Sequence, residues 1–434
     1  MSGSPEFRID VYQNEYLPEG ASLVNAIVTV TSQAGAAPAT AGTVDRRLAE
    51  AIIVDCSGSM DYPRSKIQAA KRATSTAIDT LPDGVSFAVI VGNDQAYHLY
   101  PADGSLAVAG PATRAEAKQA LGRLGASGGT AIGRWLTMAN QTLSTAPSGA
   151  IRHAILLTDG RNQHEGPAEL DAAIAACQGR FVCDCRGVGT DWEVSELRKI
   201  ASGLLGTVDI VANPADLEAD FRAMTSAAMG KAVADVVLRL WTPKDAAIQF
   251  VKQVAPTIED LTGRRTSSGP QRGDYPLGSW GTELRDYHVC VQVPVGKVGD
   301  VMLAGRVSVV GEGSEPLAQG MIKAVWTDDE ALSTRISVEV AHYTGQAELA
   351  EAIQDGMAAR RAGDVERATS KLGRAVKLAL DSGNAESARL LANVVDVVDP
   401  VTGTVRLKSK VSEEDAMTLD TRSTKTSRVR GNKD

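Results

Sequence analysis

Between residues 46 and 229, short apolar runs alternate with stretches of helical periodicity. Runs such as residues 51–54 and 154–157 are continuously apolar, as expected of strands buried on both faces of a sheet. The stretch from Ile67 to Leu81 carries an apolar stripe at helical spacing and stops at Pro82. This alternation predicts a doubly wound α/β domain with a mainly parallel sheet.

The apolar period changes to two after residue 230. Residues 287–295 alternate apolar and polar side chains, which indicates an antiparallel strand with one buried face. Similar segments predict an antiparallel β-sandwich over residues 230–344. Residues 1–45 also hold strand patterns but are too few for a core of their own, so we expect them to join that sandwich. Residues 263–281, rich in Gly, Ser, Arg and Pro, are predicted to form a long loop within it.

Helical spacing returns over residues 345–399, which predicts a small α-helical domain. Beyond it, residues 400–434 are polar, with eight Lys or Arg against five Asp or Glu from residue 405 onward, and we expect a flexible tail. If that tail is accessible to kinases, its hydroxyl-rich stretch offers candidate phosphorylation sites at Thr421, Thr424 and Thr426. A solvated tail without modification is the alternative interpretation.

Composition narrows the classes of partner. The chain has 45 Lys and Arg against 53 Asp and Glu, a net charge of −8, which argues against binding nucleic acid or an anionic membrane. A signal pattern and long apolar windows are both missing from the sequence, so we predict a cytoplasmic protein. Five cysteines, an odd number, indicate reduced thiols rather than a disulfide framework.

The strongest chemical signal is the stretch IIVDCSGSM at residues 52–60, where an apolar run enters a loop with Asp55, Ser57 and Ser59 spaced two apart. Small oxygen ligands without His or Cys suit a hard cation such as Mg²⁺. Ligands of open α/β sheets collect where loops leave the carboxyl ends of strands, so the location is suitable. A loop with a single carboxylate needs further ligands from elsewhere in the chain.

Two later loops supply such ligands. Thr130 follows a pair of glycines at the start of a predicted helix, and Asp159 precedes Gly160 after an apolar run. Together the three loops resemble the metal-ion-dependent adhesion site of von Willebrand factor A (vWA) domains. The resemblance implies a Mg²⁺, Mn²⁺ or Ca²⁺ site formed by Asp55, Ser57, Ser59, Thr130 and Asp159. It further implies that the three hydroxyls bind the metal directly, and the two carboxylates either directly or through water.

The same resemblance implies a function. A vWA domain of this kind is a metal-dependent interaction module rather than an enzyme, and its metal accepts an Asp or Glu from a protein partner. Prokaryotic vWA proteins with an appended sandwich and helices often accompany Ser/Thr kinases, phosphatases or forkhead-associated (FHA) domains. A signalling role with an FHA-domain protein or a Ser/Thr kinase as partner is therefore implied.

Alternatives remain open at this point. Asp55 and Ser57 could simply be turn and helix-cap residues. The site could activate water as a metal-dependent hydrolase, or the chain could be a metal-free structural scaffold. Particular enzyme classes fit poorly, because Ser57 stands where an aspartyl phosphatase would need its second acid, and the loop at Thr130 lacks the Lys of a phosphate-binding loop.

Overall fold

The computed structural model of the chain describes residues 5–33, 48–313 and 315–428. The described residues form two compact units, of which the first lies within Ala36–Asp235 and the second combines Ser4–Gly35 with Val236–Asp434. The first unit is therefore inserted into the sequence of the second. None of the described helices is both long enough and apolar enough to cross a membrane.

Three strands precede the inserted unit: β1 (Glu6–Gln13), β2 (Tyr16–Pro18) and β3 (Leu23–Gln33). The described strands of the first unit are β4 (Leu48–Asp55), β5 (Ser86–Gly92), β6 (Ala96–Tyr100), β7 (Ala107–Val108), β8 (Ile151–Thr158), β9 (Val182–Val188) and β10 (Val208–Val211). Its described helices are α1 (Ser65–Thr80), α2 (Pro111–Gly122), α3 (Ile132–Ser144), α4 (Pro167–Cys177), α5 (Val194–Gly203) and α6 (Leu217–Met229).

The strands of the first unit form one sheet in the order β10-β9-β8-β4-β5-β6, with β7 also paired to β5. The neighbours from β10 to β5 run parallel, whereas β6 and β7 are antiparallel to β5. Every residue of β4 is buried. Ile52 belongs to a core that includes residues of α1, α2 and α6, while α3 contacts β4 and β5. The sheet is thus covered by helices, and the prediction of a doubly wound α/β domain is confirmed.

A row of three charged side chains crosses the first unit's sheet near the start of its strands. His153 of β8 lies between Glu50 of β4, at 2.9 Å from Nδ1, and Asp184 of β9, at 3.1 Å from Nε2. Burial alone would lower the pKa of His153, but the two carboxylates raise it to about 10. The positive charge of the buried His153 ring is therefore balanced by a carboxylate on each side. The row links three neighbouring strands.

The second unit continues with β11 (Val233–Trp241), β12 (Ala247–Ala255), β13 (Glu259–Asp260), β14 (Thr266–Gly269), β15 (Arg272–Trp280), β16 (Glu283–Gln292), β17 (Val301–Val310) and β18 (Pro316–Thr327). One of its sheets has the order β1-β3-β16-β12-β13 and the other β14-β15-β11-β17-β18-β2. N-terminal strand β3 pairs with β16 from Leu23 opposite Gln292 to Ser32 opposite Glu283. Both sheets therefore combine residues from before and after the inserted unit.

The prediction of a long loop at residues 263–281 was wrong. This stretch contains β14 and β15, which pair as a hairpin. In β15, Tyr275, Leu277 and Trp280 are buried while their neighbours Asp274 and Pro276 are only partly so. The overall Gly, Ser, Arg and Pro content concealed this alternation, which is what places a strand face in the core.

The remaining described elements are α7 (Glu330–Ser333), α8 (Val338–Arg361), α9 (Val365–Asp381), α10 (Ala385–Val394), β19 (Val395–Asp399), β20 (Thr404–Leu407) and α11 (Glu413–Arg422). Helices α8 and α9 begin at side-chain caps: Ser337 accepts from Val340 N, and Asp364 accepts from Arg367 N. Buried residues of α8 to α11 and of β20 form one apolar cluster that contains Ile353, Leu372 and Leu419.

The prediction of a flexible tail from residue 400 was wrong for the part that the structure describes. After α11, Ile258 N donates to Thr424 O over 2.8 Å, and Thr426 N donates to Pro256 O over 3.1 Å. The backbone groups of the segment thus pair with the connection between β12 and β13, a long-range contact that composition does not reveal. Thr421 is buried and Thr426 Oγ1 donates to Val254 O, so phosphorylation of these residues would require the segment to detach. Residues 429–434 lie outside the described part.

Candidate metal centre

The five residues predicted for the metal site come together at the carboxyl edge of the first unit's sheet. Asp55 is the last residue of β4, Asp159 follows the end of β8, and Thr130 lies two residues before α3. Strands β4 and β8 are parallel neighbours, which brings their ends side by side. This is the edge at which ligands of α/β sheets are usually bound.

Backbone hydrogen bonds hold the serine loop against the threonine loop. Ser127 N donates to Cys56 O over 2.7 Å, and Gly58 N donates to Gly128 O over 2.9 Å. Gly128 has a φ of +81°, a conformation that glycine adopts without strain. The glycine pair before Thr130 therefore permits the left-handed backbone conformation at Gly128. It also allows the two loops to approach closely.

Oxygen atoms from the three loops face the space in front of Gly160. Ser59 Oγ lies 3.0 Å from Ser57 Oγ and donates to Asp159 Oδ1 over 2.7 Å. A Cβ atom added to Gly160 would lie 3.1 Å from Thr130 Oγ1 and 3.4 Å from Ser59 Oγ. Only glycine leaves this space open, so the oxygens surround a small gap that a cation could enter.

Asp55 supplies a buried carboxylate at the base of this gap. Its Oδ1 accepts from Ser57 N over 2.7 Å, and its Oδ2 accepts from the Thr158 hydroxyl over 2.5 Å. Burial raises the pKa of Asp55 to about 6, although both hydrogen bonds act in the opposite direction. A carboxylate whose charge is incompletely stabilised by its surroundings gains from a nearby cation.

His164 positions Thr130 and was missed by the sequence analysis. Thr130 N donates to His164 Nδ1 over 3.1 Å, and His164 N donates to Thr130 O over 2.9 Å. A Cβ atom at Gly129 would overlap the His164 ring. The second glycine of the pair thus makes room for the imidazole, an arrangement that no local pattern around residue 164 indicates.

The donor set fits a hard divalent cation. Three hydroxyls and two carboxylates contain only oxygen donors, as Mg²⁺ prefers. Within the described ranges, His, Cys, Asp and Glu side chains nowhere form a group of three or more that could hold a metal, so a soft-metal centre of that type is not present there. Ser59 is exposed while Asp55 and Asp159 are fully buried, which leaves the gap open on the serine side.

Comparison with known proteins identifies the family. Residues 50–210 match the family described as the von Willebrand factor type A domain, and residues 377–423 match the von Willebrand factor type A C-terminal domain. A solved structure of a von Willebrand factor type A protein from Catenulispora acidiphila is 52% identical, with a TM-score of 0.93, covering 99% of this chain and 98% of that one. The chain belongs to the von Willebrand factor type A family.

Two more distant relatives also match the chain. The ArnB paralog VWA2 from Sulfolobus acidocaldarius has a TM-score of 0.58 at 12% identity, covering 97% of this chain and 98% of that one, and so shares the fold. An uncharacterised protein of Synechocystis sp. is 28% identical over 226 residues, which are 50% of this chain and 51% of that protein. The chain spans about half the length of this curated relative.

Lys66 of the vWA domain contacts the candidate metal centre directly. It lies in the first turn of α1, and its Nζ is 2.8 Å from Asp159 Oδ2 and 3.1 Å from Asp191 Oδ2. Its side chain is only 9% exposed. Burial opposes the charge, but the two carboxylates raise the pKa of Lys66 above its usual value. The site therefore contains a positive charge of its own, which offsets part of the charge of Asp159.

Replacing Lys66 with methionine is expected to tighten Mg²⁺ binding by about tenfold, because a positive charge beside the site repels the cation. Isothermal titration calorimetry of the full chain with MgCl₂ measures this affinity. Lys71→Met is the matched control, since Lys71 lies on the same helix and donates instead to Gly122 O. Unchanged or weaker Mg²⁺ binding in Lys66→Met would contradict the expected repulsion.

Cys56 and the two serines of the vWA site lack an activating histidine base among the residues that the structure describes. Burial raises the pKa of Cys56 to about 11, so its thiol remains protonated at neutral pH. Among the described residues, neither Ser57 nor Ser59 is hydrogen bonded to a histidine. His164, which contacts the Thr130 loop, accepts a hydrogen bond from Thr130 N through its Nδ1.

Proposed function

We propose that the chain is a protein-interaction module whose vWA domain binds Mg²⁺ and uses it to hold a carboxylate of a partner. The observation that carries the proposal is the convergence of Asp55, Ser59 and Thr130 oxygens on the gap that Gly160 leaves open. The proposed ligands are Asp55, Ser57, Ser59, Thr130 and Asp159. Mn²⁺ or Ca²⁺ could use the same oxygen donors.

The charge of the site supports a carboxylate as the incoming ligand. Lys66 offsets one of the two carboxylates among the proposed ligands, so the protein supplies little net negative charge to a divalent cation. When bound, the metal would supply a Lewis-acidic position that can accept one further oxygen. A partner's Asp or Glu provides both the missing oxygen and the missing charge.

The residues of this chain would prepare that position without any covalent chemistry. Ser57 N and the Thr158 hydroxyl donate hydrogen bonds to the Asp55 carboxylate and so fix its orientation. His164 holds the backbone of Thr130 in place. Ser59 lies at the exposed side, where the incoming group would arrive. Such fixed donors lower the cost of organising the site when the metal binds.

The identity of the partner stays a prediction. An FHA-domain protein or a Ser/Thr kinase is the class that the prokaryotic vWA resemblance implies, and a cytoplasmic signalling role accompanies it. We expect neither nucleic acid nor a membrane as ligand, because the net charge is −8.

Affinity capture from the host lysate tests the proposal. Wild-type protein, Asp55→Asn and Asp79→Asn are used as baits in Mg²⁺, in EDTA, and in EDTA followed by excess Mg²⁺, with captured proteins quantified by mass spectrometry. Asp79 is a matched control, because it lies toward the other end of α1 and pairs with Lys118. A genuine partner is captured by wild type and Asp79→Asn only when Mg²⁺ is available.

The partner's contribution is tested next. Replacing its exposed Asp and Glu one at a time by Asn and Gln should identify a single carboxylate whose loss abolishes binding. Equal capture in EDTA would refute metal-dependent recognition and favour the metal-free scaffold. Phosphatase or nuclease activity that needs Mg²⁺ and disappears in Asp55→Asn would instead favour the hydrolase alternative.

A further inference from the structure

The outer face of one sheet in the second unit carries a cavity of about 470 Å³ that is lined mainly by arginines. We call it the arginine cavity. Its principal lining residues are Arg239, Trp241, Arg272, Arg306, Ser308 and Gln319. They come from β15, β11, β17 and β18, four consecutive strands of the sheet β14-β15-β11-β17-β18-β2. The cavity is therefore built on regular strands rather than on loops.

Strand register explains how the cavity arises. Arg239 lies opposite Ser308, and Trp241 lies opposite Arg306. The residues between them along β11, such as Leu240, are buried in the core, so the cavity residues point outward. A small serine among long arginine and tryptophan side chains leaves a depression in the middle of the face.

The arginine cavity has three arginines, and Asp274 offsets only part of their charge: it forms an ion pair with Arg239 and interacts electrostatically with Arg272. Arg239 is bound to Asp274 through two hydrogen bonds of 2.8 Å, which neutralises that pair. Arg272 and Arg306 make no ion pair with any residue in ranges 5–33, 48–313 and 315–428. The guanidinium of Arg306 lies 6.0 Å from the centre of the Trp241 ring. The cavity therefore presents two positive charges beside an aromatic surface.

Ser308 adds a neutral hydrogen-bond donor to the lining of the arginine cavity. The residue as a whole is 6% exposed, and its hydroxyl makes no hydrogen bond with the residues that the structure describes. A ligand oxygen in the cavity can therefore accept from Ser308 as well as from the guanidinium groups of Arg272 and Arg306.

We propose that the arginine cavity binds a phosphate monoester, with Arg272 and Arg306 contacting the phosphate and the Ser308 hydroxyl donating to it. A phosphate monoester carries a charge of about −1.5 to −2 at pH 7 and three strong acceptor oxygens. Guanidinium groups match phosphate oxygens with paired hydrogen bonds. The volume exceeds what a bare ion needs, so the organic group of the ester can lie beside Trp241.

Titration of the full chain in EDTA tests the proposal separately from the metal centre. The probes are phenyl phosphate, a phosphothreonine peptide with its unphosphorylated form, inorganic phosphate, and benzoate as a singly charged control. Binding is followed by calorimetry, with tryptophan fluorescence as a second readout. We expect saturable binding of at least one phosphate monoester to one site, and much weaker binding of benzoate and of the unphosphorylated peptide. The two monoester probes distinguish a small-molecule ligand from a phosphorylated protein segment.

Variants locate the site. Arg272→Gln and Arg306→Gln should each weaken binding by about tenfold or more, since each removes a charge-assisted contact. Ser308→Ala should weaken it by a few-fold, because a neutral donor contributes less. Lys323→Gln is the matched control: Lys323 is exposed on β18, in the same sheet, but lies outside the cavity lining. Circular dichroism verifies that each variant is folded.

Several results would overturn the assignment. These are the absence of saturable binding by any phosphate monoester, binding of inorganic phosphate alone, or equal weakening by Lys323→Gln and the two arginine variants. Asp55→Asn should bind the probes like wild type, because the metal centre takes no part in this site. Loss of phosphate binding in Asp55→Asn would count against the arginine cavity even if metal binding behaves as proposed.

Discussion

Asp55→Asn is expected to weaken Mg²⁺ binding by more than about 100-fold and, at the same time, to stabilise the metal-free protein at pH 8. Asp55 is one of the two carboxylates of the proposed site, so its loss should exceed the 10- to 100-fold cost typical of residues that only support a metal ligand. Asparagine keeps an oxygen that accepts from Ser57 N, so the loop geometry can be retained. Calorimetry with MgCl₂ measures the affinity, and denaturant-dependent hydrogen exchange of β4 peptides measures the stability.

The stability gain follows from the pKa of Asp55, which burial raises from 3.8 to about 6. The folded state then binds the proton more tightly than the unfolded state, so this group favours folding most below pH 4 and loses that contribution as pH rises through about 6. At pH 8 the cost is about 3 kcal/mol, since the pKa is raised from 3.8 to about 6 and one pKa unit corresponds to about 1.4 kcal/mol. Asp79→Asn should show neither effect. Retained Mg²⁺ binding in Asp55→Asn would contradict the proposed ligand set.

His153→Leu is expected to destabilise the first unit by about 3–5 kcal/mol, because it leaves the buried carboxylate of Glu50 without its partner. The carboxylate of Asp184 would lose a smaller share of its stabilising contacts, because it also accepts hydrogen bonds of 2.7 Å from Thr207 N and Thr207 Oγ1. Hydrogen exchange of peptides covering β4, β8 and β9, followed in increasing urea, measures the local stability.

Two further measurements distinguish the buried charge from simple loss of packing. The double variant Glu50→Leu with His153→Leu should recover much of the lost stability, because no unpaired carboxylate remains beside residue 153. The stabilisation from the raised pKa of His153 is fully present below pH 6.5 and is lost as pH rises through about 10, so the gap between wild type and His153→Leu should narrow over that range. A gap that is constant with pH, or a double variant as unstable as the sum of the singles, would contradict the charge interpretation.

The parts of the fold that depend on local pattern were predictable from the sequence. The buried strands around residues 52 and 155 are continuous apolar runs, and continuous burial is what a parallel sheet imposes. The proposed metal ligands were predictable for a related reason, since Asp55, Thr130 and Asp159 all lie where a strand or helix boundary is visible in the sequence. Strand ends that are distant in sequence meet at one edge of such a sheet.

Features that depend on contacts between distant segments were not predictable. Lys66 resembles an ordinary lysine in the first turn of a helix, and only the fold brings it to Asp159. His164 lies in a polar loop, and its role depends on the backbone of Thr130. Residues 424–428 are polar throughout, but their hydrogen bonds with the backbone between β12 and β13 and with His342 hold them in place. Composition measures hydrophobicity and cannot report such pairings.

The insertion of the first unit between β3 and β11 has a consequence for synthesis on the ribosome. Strands β1 and β3 leave the ribosome early, but β3 cannot complete its sheet until β16, at residues 283–292, has been translated. The inserted unit has all its described strands and its own core by residue 235, so it can fold while β3 has only β1 as a neighbour in its sheet. The slow, long-range closure of the two sandwich sheets therefore comes late in the folding of the nascent chain. During that interval β3 exposes the backbone edge that later pairs with β16, and such an open edge is prone to pairing with another chain.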